Sequence, residues 1–94
     1  EGGHDVIGLT GCALEVKRQE TLNVNAWWEQ TVEQSKSNML PKPQWPVLFY
    51  RKNHCPWSVV VLLAMINDEF NGDDSVTTVN LDTFIKIYEW RDEK

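Results

Sequence analysis

The stretch Asp5-Val-Ile-Gly-Leu-Thr-Gly11-Cys-Ala-Leu-Glu15-Val-Lys17 decides how this chain is read. Residues 5–9 and 12–18 read as two short strands around Gly8-Leu9-Thr10-Gly11. Side chains alternate along a strand. Cys12, Leu14 and Val16 therefore fall on one apolar face, and Ala13, Glu15 and Lys17 on the other. A three-residue hairpin loop, Leu9-Thr10-Gly11, puts Gly11 where a positive φ is needed. In that register Gly8 pairs with Cys12, and Asp5 falls opposite Glu15 with Lys17 on the same face.

Two carboxylates directly opposite each other repel and weaken a hairpin. A divalent cation removes the repulsion, and two carboxylates completed by water and a phosphate oxygen suit Mg²⁺. Bound Mg²⁺ polarises a scissile phosphate and lowers the pKa of a bound water. Lys17 is placed to orient that water or to stabilise charge developing on phosphate. Asp5, Glu15 and Lys17 thus point to phosphodiester hydrolysis.

Outward from this motif the period changes. Val24, Trp27, Trp28, Thr31 and Val32 recur at helical spacing, with Asn23 or Asn25 as cap. The helix ends at Ser37-Asn38, and Pro41 and Pro43 mark a linker. Gln30 and Gln34 share one helical face. Trp27 and Trp28 point about 100° apart, so at most one faces the site, and helical spacing favours the core for both. Residues 45–51 are apolar on both faces, which predicts a central strand of a covered sheet. Lys52-Asn53-His54-Cys55-Pro56 is a turn, residues 57–66 read as a second apolar strand, and Asn71-Gly-Asp-Asp74 is a loop. Leu81, Phe84, Ile85 and Tyr88 mark a closing amphipathic helix capped by Asn80. The expected order is ββαββα over one domain, residues 1–94.

The chain has 94 residues with net charge −5, 41% hydrophobic and 24% charged. That suits one small globular domain with a thin core, which dimerisation would help. No apolar stretch is long enough for a transmembrane helix, and no secretory signal opens the chain. Cys12 and Cys55 are too few for a disulfide scaffold, so they are expected to be reduced in an intracellular, cytoplasmic protein. His4, Cys12, His54 and Cys55 match no zinc spacing. No serine-histidine-acid order and no glycine-rich phosphate loop is present. Up to Trp57 there are six basic and six acidic residues, whereas beyond it three basic face eight acidic. The acidic excess is therefore C-terminal, a solubilising surface that leaves nucleic acid open as a partner. Arg51, Lys52, Asn53 and His54 cluster at the turn and could clamp a DNA backbone without reading sequence, with Lys36 and Lys42 extending that surface. Arg18 points away from Lys17 and is left out of the site.

These residues carry a resemblance. The stretch from Asp5 to Lys17 resembles the core motif of the PD-(D/E)xK nucleases. It is similar in particular to small phage and prophage endonucleases related to Holliday-junction resolvases and virus-type replication-repair nucleases. Asn25-Ala-Trp-Trp-Glu-Gln30-Thr-Val-Glu-Gln34 resembles the family's next helix, which carries a Gln near the active site. Trp45-Pro-Val-Leu-Phe-Tyr-Arg-Lys-Asn53, Cys55-Pro-Trp-Ser-Val-Val-Val61 and Leu81-Asp-Thr-Phe-Ile-Lys-Ile-Tyr88 resemble its later strand pair and closing helix. The resemblance implies an α/β fold of restriction-endonuclease-like type, a mixed sheet flanked by helices. The family's N-terminal helix, which bears a Glu, has no counterpart ahead of the hairpin.

It also implies an Mg²⁺-dependent DNA endonuclease, with Mn²⁺ as substitute, acting on duplex or branched DNA as a homodimer in the cytoplasm of a host cell. Asp5 and Glu15 would hold the metal, Lys17 would be the catalytic lysine, and Gln30 would position metal, water or phosphate. The alternative from another class is a catalytically degenerate interaction or regulatory module of a phage with the same fold.

Overall fold

The structure is a computed structural model that describes residues 11–37 and 44–92. The described chain forms β1 (Cys12–Arg18), α1 (Val24–Ser37), β2 (Trp45–Arg51), β3 (Ser58–Leu62), α2 (Leu63–Ile66), β4 (Val76–Asn80) and α3 (Leu81–Asp92). A single 3-10 turn, Asp68–Phe70, follows α2. The four strands form one mixed sheet in the order β1-β2-β3-β4. β1 runs parallel to β2, whereas β2–β3 and β3–β4 are antiparallel. α1 is the crossover between the parallel strands, as that connection requires.

The two faces of the sheet are packed separately. On one, Trp27 of α1 packs with Leu48 and Val60, joined by Val24, Trp28 and Tyr50. Trp27, Thr31 and Ser35 are the buried residues of α1, one turn apart. The two hydroxyls bond backward, Thr31 Oγ1 donating to Trp27 O at 2.8 Å and Ser35 Oγ to Val32 O at 2.7 Å, so neither is buried without a partner. On the other face Cys12, Val47, Val59 and Val61 meet Met65 of α2 and Phe84 of α3. Phe84 packs edge-on against Phe49, with ring centroids 5.3 Å apart. The expected central strand is β2, whose Val47 and Leu48 point to opposite faces and are both fully buried. That burial on both sides is why its apolar residues do not alternate with polar ones.

Three elements differ from the sequence expectation. The apolar run 57–66 is strand only to Leu62, and Leu63–Ile66 turns into a helix that buries Ala64 and Met65. A continuous apolar run does not distinguish a buried strand from a buried helical turn by periodicity. β4 was not anticipated at all. It is five residues with Thr at its centre, and it exists because Val79 and Thr77 pair with Val59 and Val61. In α3 the face toward the core is Leu81, Phe84, Ile87 and Tyr88, whereas Ile85 is 44% exposed. The Asn80 cap is present, its Oδ1 accepting from Thr83 N at 2.7 Å. The expected first strand, residues 5–9, lies outside the described residues, as do residues 38–43 of the linker. Among the described residues the order is therefore βαββαβα rather than ββαββα. No helix among them is long and apolar enough to cross a membrane.

Candidate active site

β1 carries the candidate residues Glu15 and Lys17, and the sheet register shows what surrounds them. Leu14 pairs with Val47 and Val16 with Phe49 on the face toward α3. Glu15 and Lys17 take the alternate positions, beside Leu48 and Tyr50, on the face that α1 covers. Lys17 Nζ lies 3.3 Å from Glu15 Oε2, and the two side chains are 25% and 26% exposed. An opposed pair thus stands at the margin of an apolar layer, open enough to reach a ligand. Its neighbour Tyr50 meets Trp27 with ring centroids 6.3 Å apart, which buttresses the wall beside Lys17. Gly11, just ahead of β1, has φ +82°, the left-handed conformation the hairpin loop calls for. Its carbonyl accepts from Trp45 N at 2.8 Å and locks the start of β1 to β2.

The other candidates fall in three places. Asp5 lies outside the described residues, and so does its register against Glu15. Gln30 is exposed on α1, off the buried line of Trp27, Thr31 and Ser35. With Trp28, Glu33, Lys36, Gln44 and Trp45 it lines a groove of about 1220 Å³ whose described walls do not include Glu15 or Lys17. Arg51, Lys52, Asn53 and His54 sit at the β2–β3 turn, where Cys55 N donates to Lys52 O at 3.1 Å and His54 adopts φ +66°. This turn is at the same end of the sheet as Lys17. Arg51 itself lies on the opposite face, because it shares register and face with Arg18. Its guanidinium stacks 5.1 Å from the Trp57 ring.

Lys36 does not extend that basic surface. It ends α1 beside Gln44 and Trp45, at the far end of β2. Lys42 is outside the described residues. Of the two tryptophans of α1, Trp27 is core at 7% exposure and Trp28 is half-buried. Both cysteines are free thiols, Cys12 buried at the start of β1 and Cys55 exposed at the opposite end. The length of β2 between them forbids a disulfide between the two. Burial pushes the Cys12 thiol up to about 11. Among the described residues no group of three or more His, Cys, Asp or Glu gathers as a metal-holding cluster.

Sequence reasoning found the Glu15–Lys17 pair through strand alternation. It missed the Arg18–Arg51 pairing, since nothing local announces the parallel register of β1 with β2. Compared with protein families, with curated proteins and with solved structures, the chain gives no match.

Proposed function

We propose that this chain is a metal-dependent DNA endonuclease, built on a restriction-endonuclease-like sheet and working as a homodimer on duplex or branched DNA. The observation that carries the reading is the Glu15–Lys17 pair, 3.3 Å apart on one strand face and a quarter exposed beside an apolar wall. The donor chemistry fits Mg²⁺ or Mn²⁺. Glu15 offers a hard carboxylate, one or two carboxylates are what Mg²⁺ takes from a protein, and substrate phosphate supplies further oxygens. Asp5 would be the second carboxylate. Among the described residues β1 is paired on one side only, by β2.

Glu15, with Asp5 as the expected second carboxylate, would hold a divalent cation, which would supply Lewis acidity toward a phosphate. The residues do the rest. Glu15 holds the Lys17 ammonium in place, so its charge is already oriented when substrate arrives. Lys17 then stabilises the charge that grows on the phosphate and orients the attacking water. The wall formed by Tyr50 and Trp27 limits water on one side of the ammonium, which strengthens its field. Gln30, which lines the separate groove on α1, is given no contact in this site. The basic turn, residues 51–54, holds the DNA backbone.

The test is cleavage of supercoiled plasmid and of a synthetic four-way junction with Mg²⁺ or Mn²⁺, beside Lys17→Ala. The variant should fold and lose roughly 100-fold or more in cleavage rate. Equal cleavage by both proteins would overturn the assignment. No cleavage by a folded wild type would favour the non-catalytic module with the same fold.

A further inference from the structure

The unused charge in this molecule is at the carboxyl ends of β1 and β2. Arg18 and Arg51 are direct register partners there and lie on the same face. Parallel strands are about 4.8 Å apart, so the two side chains leave the sheet from adjacent backbone positions. Lys52 follows in the turn, exposed like Arg18. Arg51 is held by the Trp57 ring and reaches the Cys55 carbonyl only at 3.5 Å, while its Nε has no partner. Among the described residues no carboxylate pairs with Arg18, Arg51 or Lys52; the ion pairs are Lys17–Glu15 and Arg91–Asp68. Glu20, in the loop after β1, is exposed.

Arg18, Arg51 and Lys52 share this end of the sheet, and none of them has a carboxylate partner among the described residues, which leaves them open to an anion. Guanidinium pairs favour phosphate, whose oxygens take parallel N–H donors from each fork.

We infer that Arg18, Arg51 and Lys52 form a phosphate clamp for the DNA backbone, and that DNA lies across the carboxyl ends of β1 and β2. Resting on the nuclease reading, this names the contact that positions substrate there. Lys17 and Arg18 are consecutive and face opposite sides of the sheet. A phosphate at Lys17 and one at Arg18–Arg51 therefore belong to backbone passing on either side of the end of β1. Arg18, which alternation alone removes from the site, returns as a substrate-binding residue by this route.

The test separates binding from cleavage. Anisotropy of a labelled DNA duplex is measured with wild type, Arg18→Gln and Lys52→Gln in EDTA, from low to moderate salt. Lys36→Gln, at the far end of the sheet, is the control. Arg18→Gln should keep the wild-type melting temperature and lose roughly tenfold in affinity at 0.1 M salt. Its slope of log K against log salt should be shallower by about 0.9, as for one lost phosphate contact. Arg51→Lys covers the partner, since loss of its ring stack could disturb the turn. Wild-type affinity and slope in Arg18→Gln overturn the clamp, as does absence of DNA binding by wild type. Inorganic phosphate is the second probe; tight binding of it alone, with no gain for DNA, would overturn the backbone reading in favour of a small-anion site. DNA bound through Arg18 by a protein that never cleaves leaves the clamp standing and removes the nuclease. Cleavage that is indifferent to Arg18 does the reverse.

Discussion

Where β3 runs into α2 and returns as β4, the acidic side chains Asp68 and Asp73 each have a partner; where β1 and β2 stop, the cations Arg18 and Lys52 have none among the described residues. Asp68 pairs with Arg91 at 3.1 Å, and Asp73 Oδ1 accepts from Ser75 N at 2.8 Å ahead of β4. Arg91 in turn donates from Nε to Met65 O and from Nη2 to Ala64 O, both at 3.0 Å, and its guanidinium stacks 5.2 Å from Trp45. Charge at this end holds backbone in place. At the other end Arg18 and Lys52 hold no partner among the described residues. That contrast separates structural from ligand-seeking charge better than the net value of −5 does. It also places the acidic turn, with Asp68, Glu69, Asp73 and Asp74, away from the proposed DNA path, so that the field of the molecule would orient an approaching polyanion.

Substitution of arginine at the two ends breaks or sharpens this comparison. Arg91→Ala removes two charge-assisted hydrogen bonds to partly buried carbonyls that end α2. The expected cost is about 2 kcal/mol, with a melting temperature lower by roughly 10 °C. Arg18→Gln should leave the melting temperature where it is. Equal effects of the two substitutions in a thermal melt would remove the distinction. Asp68→Ala tests how much of the Arg91 contribution comes from the carboxylate. Asp68 is 68% exposed, so its ion pair is expected to contribute about 0.5 kcal/mol in urea denaturation. A loss as large as that of Arg91→Ala would mean that the ion pair, and not the carbonyl contacts, anchors α3 to α2.

The same contrast explains what was legible in the sequence. Alternation placed Glu15 and Lys17 on one face because strand side chains obey a local period, and α1 disclosed its core face through Trp27 and Thr31. Asn80 was readable as a cap because its partner, Thr83, is three residues away. Contacts made across the sheet were not readable. β4 depends on β3 for its pairing, the turn into α2 is closed by Leu63 N donating to Ser75 O, and Ile87 packs on the core where Ile85 was expected. Arg18 beside Arg51 belongs to this second kind. Lys36 was grouped with the basic turn by charge, yet the length of the sheet separates them. Asp5, the remaining member of the candidate site, lies outside the described residues.

The smallest effect concerns Asp73 and is read through pH. Hydrogen bonds from the Ser75 hydroxyl and amide hold its carboxyl below the ordinary carboxylate value of 3.8. A folded-state pKa that is depressed means the unfolded chain binds the proton more readily. The stabilisation from this turn is therefore fully present above the ordinary value and disappears as pH falls through the folded one. Asp73→Ala should lower the urea midpoint slightly at neutral pH, and the gap from wild type should close on acidification below the ordinary carboxylate range. A gap that stays constant with pH would show that the carboxylate charge contributes nothing to the turn. The acid at this end would then be surplus charge, like the cations at the other, and the division between a structural end and a ligand-binding end would rest on Arg91 alone.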